Sequence, residues 1–118
     1  MSRLAEIGLE ERGGVHVAHI DGEVDLSNVA DVGDALITAV QPEAVGLVVD
    51  MTGVRHIDSA GVRMLFDLRR RLAQRRQDVA IAVPKNARIR DVLDLAAVGT
   101  SVPLFADVPA AVEAVLGG

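Results

Sequence analysis

Two strand-like segments split by a glycine pair, followed by strands and helices in alternation, predict an α/β layer fold. The sheet should be mixed but mostly parallel, with about five strands, an N-terminal hairpin and about four helices. A third observation is Val45–Met51, a β-branched run apolar on both faces, as a central parallel strand must be.

Each element has its own signal. Ile7–Arg12 and Val15–Ile20 read as strands joined at Gly13-Gly14, a dipeptide suited to a tight hairpin. Asp21 to Asp25 then leaves the second strand. Ser27 or Asn28 can cap a helix running to about Gln41, before Pro42. Its apolar residues Val29, Val32, Leu36, Ile37 and Val40 recur at helical spacing. After Val45–Met51 and a short polar link, a helix is expected from Ser59 to Arg76. Gly61, Leu65, Leu68 and Leu72 form its inner stripe, and Arg63, Asp67 and Arg70 its outer one. Asp67 is four residues from Arg63 and from Arg71, so local ion pairs are expected there. Val79–Val83 is a second buried strand, and a helix follows from Asn86 or Ala87 to Gly99. Val102–Phe105 is a short last strand, and Asp107 caps a closing helix over Val108–Leu116. Right-handed crossovers would bring the ends of the parallel strands, with Asp50 and the Ser59 loop, to one rim.

At 118 residues, with half of them apolar, the chain suits one domain over residues 1–118 and can bury one core. It has no cysteine, so disulfides and thiolate metal sites are excluded. The charged amino terminus lacks a signal-peptide pattern, and the apolar runs are too short to cross a bilayer. A cytoplasmic protein is expected, without membrane insertion. Charge is unevenly spread: residues 1–58 hold eleven acids against three bases, and residues 59–118 six acids against nine bases. Six arginines fall within the Ser59–Arg76 segment. A solvated helix face is the simplest reading of that run, and a partner with an acidic patch the sharper one. Direct nucleic-acid binding is not expected from an acidic chain without tyrosine or tryptophan.

Ser59 is the central candidate for chemistry. Serine is a strong helix N-cap, and the plain structural reading is a cap, with the Asp58-Ser59 pair satisfying free amides of the first turn. A phosphate there would face unpaired amides and the positive end of a helix dipole, so both readings can hold together. Phosphorylation adds roughly −1.5 to −2 charges. Beside Asp58 and inside a partner's footprint, that charge would repel. Gly61 either lets a partner approach Ser59 or packs the helix tightly on the sheet. Asp25 and Asp58, both beyond strand ends, would shape the acceptor's surroundings or simply be solvated loop acids. No third ligand for a metal is evident. Hydrolase chemistry lacks support: Ser59 is outside G-x-S-x-G, His16 and His19 take opposite faces of a strand, and His56 is three residues before Ser59. Phosphate-binding glycine motifs are also missing, so no catalytic residue and no cofactor is expected.

Three blocks, in order and at fitting spacing, resemble the STAS domain: Gly22-Glu23-Val24-Asp25-Leu26, Leu47 to Val54, and Ile57-Asp58-Ser59-Ala60-Gly61. Leu93 to Val98, Leu104-Phe105 and the terminal helix extend the likeness over almost the whole chain. The nearest type is the stand-alone bacterial anti-sigma factor antagonist. The resemblance implies a binding protein that is not an enzyme. Unphosphorylated, it would hold an anti-sigma factor that is also an ATP-dependent serine kinase, freeing a sigma factor. Phosphorylation at Ser59 would end the complex, and a PP2C-type phosphatase would restore it. Asp25, Asp58, Ala60, Gly61 and Arg63 would then contact the partner around Ser59, in a monomer or weak dimer. Ala60 replaces a common hydroxyl residue, leaving Ser59 the lone hydroxyl of the motif. Arg63 replaces something small, which suggests a more acidic partner or a different one. Thr52 is a weaker second phosphosite. Two other roles remain open: a STAS subunit of a transporter or stress-sensing complex, and a receiver-like domain using Asp50 with Lys85.

Overall fold

The computed structural model describes residues 5–117, so residues 1–4, the start of the charged amino terminus, lie outside it, as does residue 118. Chain order is β1 (Ala5–Arg12), β2 (Val15–Val24), α1 (Val29–Ala39), β3 (Gly46–Ile57), α2 (Ser59–Gln74), β4 (Asp78–Ala82), α3 (Arg88–Leu95), a 3-10 turn at Val98–Thr100, β5 (Leu104–Phe105) and α4 (Val108–Gly117). The five strands lie in the sheet in sequence order; β1 is antiparallel to β2 and every other pair is parallel. The fold class is therefore the expected one.

Two strands run further than their local sequence suggests. β2 continues to Val24, and β3 passes through the supposed polar link to Ile57. Their pairing carries on beyond His19 opposite Asp50 to Val24 opposite Ile57, with two register shifts. Thr52-Gly53 looks like a turn, yet Gly53 serves a close strand approach: a Cβ there would lie 3.1 Å from the Ile20 carbonyl oxygen. Only Asp58 separates β3 from α2.

Helices also stop earlier than expected, for local reasons. α1 ends at Ala39 because Val40 turns extended and Gln41 precedes Pro42. α2 ends at Gln74 with Arg76 in the left-handed region, and the Gln77 amide donates back to the Leu72 carbonyl. α3 begins at Arg88 after an Ala87 N-cap and ends at Leu95, with Ala97 left-handed and its amide donating to the Asp94 carbonyl. β5 is cut to two residues because the Val102 amide bonds Val98 and Pro103 has no amide hydrogen. α4 starts as expected, with the Ala110 amide donating to the Asp107 carboxylate.

Two apolar layers sandwich the sheet. On one face, Leu36 of α1, Leu65, Leu68 and Leu72 of α2 and Leu93 of α3 pack on Leu47, Val49 and Ile81. On the other, Ala111, Val112 and Val115 of α4 pack on Val15, Val17, Val48, Ala80 and Ala82. Each buried leucine contributes about 1.5–3 kcal/mol, so the inner stripe of α2 anchors the helix that carries Ser59. The parallel strands all end on one rim, where the β2–α1, β3–α2, β4–α3 and β5–α4 connections meet.

Candidate functional site

Asp58 organises this rim. It is the N-cap of α2, with its Oδ1 accepting from the Gly61 amide at 3.0 Å. Its Oδ2 accepts from the Leu26 amide at 3.1 Å, and its own amide donates to the Val24 carbonyl. One carboxylate thus ties the β2–α1 loop to the mouth of α2. The Gly61 amide holds the Asp58 carboxyl below the usual range; slight burial opposes this, while the Leu26 and Ala60 amides reinforce it.

Of the Asp58-Ser59 pair expected to cap the helix, Asp58 alone does so. Ser59 is the first residue inside the helix, and it is exposed. Aspartate caps as well as serine does, so with Asp and Ser adjacent, one frame satisfies the helix and the other does not. The hydroxyl is consequently released from structural duty. It stands at the positive end of the α2 dipole, one residue beyond a carboxylate.

Gly61 is buried, and its missing Cβ faces inward: a methyl there would sit 2.5 Å from Ile57 Cγ1 and 3.1 Å from the Val24 carbonyl oxygen. Close packing of α2 on the sheet requires glycine at this position. Ala60 is half-buried and Arg63 exposed. Asp25 is half-buried and shapes its own turn, accepting from the Ser27 amide and hydroxyl at 2.9 and 2.6 Å. The Leu26–Asp58 bond brings the Asp25 turn to the Ser59 turn, as their shared rim implies. Asp67 pairs with Arg70 and, at 3.9 Å, with Arg71. Contrary to expectation, Arg63 has no carboxylate within ion-pair distance among the described residues.

Asp50 and Thr52 occupy a different place. Asp50 lies within β3, on the sheet face that carries Val48, and accepts from the Thr52 amide and hydroxyl. His19 Nδ1 is 2.6 Å from its second oxygen, and His19 Nε2 is 3.5 Å from Glu10. Burial raises the Asp50 carboxyl, but hydrogen bonds from Thr52 and His19 outweigh it and leave the group below its ordinary range. An aspartate spent this way inside a strand is a poor phosphate acceptor, which removes support from the receiver reading.

Two features escape a sequence reading. One is the His19–Asp50 pair, which joins strands 31 residues apart in sequence. The other is Leu26, 78% exposed at the rim beside Ser59. A lone leucine between Asp25 and Ser27 in a polar turn is the only local hint of it. No helix among the described residues is long and apolar enough to cross a membrane.

The STAS-domain family model matches residues 6–111, and the chain belongs to that family. Among solved structures it is similar to an anti-sigma factor antagonist from Mycobacterium paratuberculosis, with a TM-score of 0.84 and 22% identity over 95% of this chain and 94% of that one. It is also similar to the phosphorylated form of the Bacillus cell fate determinant SpoIIAA, with a TM-score of 0.66 and 20% identity over 93% and 99% of the two chains. A third likeness is to the murine anion transporter Slc26a9, with a TM-score of 0.73 and 19% identity over 92% of this chain but 19% of the transporter. No curated protein sequence matches the chain. At these identities the structural likenesses establish the fold.

Proposed function

We propose that this chain is an anti-sigma factor antagonist switched by phosphorylation at Ser59. The observation that carries the reading is the exposed hydroxyl in the first turn of α2, free of capping duty and directly after Asp58. Two proteins of the same fold, one an anti-sigma factor antagonist and the other solved in a phosphorylated form, support it. In this account residues 1–118 act as one cytoplasmic domain. The rim of Asp25, Asp58, Ser59, Ala60, Gly61 and Arg63 binds an anti-sigma factor that is also an ATP-dependent serine kinase. That binding frees a sigma factor. A PP2C-type phosphatase reverses the modification.

The physics is a change of charge at a covered surface. The added charge of roughly −1.5 to −2 sits where the helix dipole favours it by about 0.3–1 kcal/mol, so the fold survives. In the complex the same charge loses its water and meets the partner. A loss of about 3 kcal/mol is already more than a hundredfold in affinity. The chain is a binding protein in this reading, not an enzyme. Glutamates 6, 10 and 11 on edge strand β1 discourage strand-to-strand pairing of copies and favour a monomer or weak dimer.

The test is incubation with the organism's candidate anti-sigma kinases and ATP, read by intact mass. Wild type should gain one phosphate and Ser59→Ala none; a phosphate retained by Ser59→Ala would place the acceptor elsewhere and overturn the assignment. The likeness to an anion transporter's domain supports a second reading, a STAS subunit of a transporter or stress-sensing complex. Stable copurification with a membrane ATPase or a large homotypic assembly would favour it.

A further inference from the structure

A groove of about 470 Å³ runs between α1 and α2 and opens at the rim beside Ala60. Its apolar lining includes Leu26, Val29, Ala30 and Met64; Arg63 stands on its α2 wall and the exposed Asp34 on its α1 wall, so a partner's acids are favoured on the α2 side only. The groove is narrow where the two helices meet: a Cβ on Gly33 would lie 3.3 Å from Met64 Cγ. Leu26 guards the mouth, 78% exposed yet fixed in place through its amide to Asp58. Leu26 is continuous with Val29, Ala30 and Met64 in one apolar lining, and such a contiguous patch, rather than a lone exposed side chain, marks a docking surface.

We propose that this groove receives an amphipathic helix of the partner, apolar face down and with carboxylates along the flank that meets α2. The inference rests on the reading of this rim as the partner-binding surface and names what that partner brings. Both walls are helices whose backbone groups are already paired, so the groove has no strand edge to offer. An occupant must therefore satisfy its own backbone, as a helix does. Charge selects the flank. Asp67 is engaged with Arg70 and Arg71, whereas Arg63 has no carboxylate within ion-pair distance among the described residues. Arg63 is the cation left for a partner's acid. It also follows Ser59 by four residues, one turn along the same helix face. A phosphate on Ser59 can claim that guanidinium, so modification both repels the incoming acid and withdraws its counter-charge.

The test uses the full chain and two synthetic 16-residue helical peptides. Both carry leucines at helical spacing and glutamines on one flank; the other flank carries glutamates in one peptide and lysines in the second. Methyl NMR follows Leu26, Val29 and Met64. The glutamate peptide should shift these methyls and bind at least about fivefold more tightly than the lysine peptide. Arg63→Glu should reverse that preference, Leu26→Ser should weaken both peptides, and Ser59→Asp should weaken the glutamate peptide alone. Equal binding of the two peptides, shifts confined to another face, or no methyl shift at millimolar peptide would overturn the proposal. A chain phosphorylated at Ser59 whose groove stays silent sinks this inference alone. A chain that binds the glutamate peptide but is never phosphorylated sinks the switch alone.

Discussion

Asp58 shares two helix-end problems between its two oxygens. Oδ1 closes the first turn of α2, and Oδ2 holds the loop that presents Leu26. Asp58→Ala should cost about 1 kcal/mol, the usual loss of an N-cap, whereas Asp58→Asn should keep most of the cap. The pH dependence has a definite sign. The folded carboxyl is depressed, so the unfolded chain binds the proton more readily and stability rises with pH. The contribution is fully present above the ordinary carboxylate value of about 3.9 and is lost as pH falls through the folded value. Chemical denaturation between pH 7 and pH 3 should show wild type losing its advantage over Asp58→Asn on acidification. Parallel curves would contradict that assignment. Gly61 supplies the complementary residue-scale test. Gly61→Ala drives a methyl into Ile57 and the Val24 carbonyl oxygen and should cost about 1–3 kcal/mol. An unchanged melting temperature would show that α2 sits less tightly than described.

Among the elements, the junction of α2 and β4 depends on Gln77. Its Nε2 donates to the carbonyls of Gln41 and Ala44 at 2.8 and 3.1 Å, bracing the loop that leads into β3. Gln77→Ala strands those acceptors in a buried place and should cost about 1–3 kcal/mol. The urea midpoint should fall while the denaturant slope stays constant. This residue reads as an ordinary polar position in the sequence, because its acceptors lie more than thirty residues away. The helix ends were hidden for another reason. Arg76 and Ala97 take left-handed conformations without being glycine, so nothing in their identity announces a stop. The inner stripe of α2, by contrast, was plain. Leu65, Leu68 and Leu72 are buried where a 3.6-residue period puts them.

For the molecule as a whole, the mixed, mostly parallel sheet, the two-sided burial of β3 and the shared rim follow from hydrophobic period and crossover handedness, which are local or topological rules, whereas the order of the strands in the sheet does not. The placement of Ser59 follows too; which member of the Asp58-Ser59 pair caps the helix does not. The extension of β3 to Ile57, the His19–Asp50 pair and the groove between α1 and α2 did not follow. Each depends on contacts between distant segments that no short window contains. Charge completes the arrangement: an acidic chain of net −5 places six of its eleven arginines on α2 and the short turn that ends it, within residues 59–76. The most direct measurement is the affinity of the proposed anti-sigma partner for the protein phosphorylated at Ser59, set against the unmodified protein, with circular dichroism on both. The account predicts matching spectra and an affinity at least about a hundredfold weaker after modification. Affinities within about threefold of each other, or a phosphorylated form that has lost its structure, would contradict it.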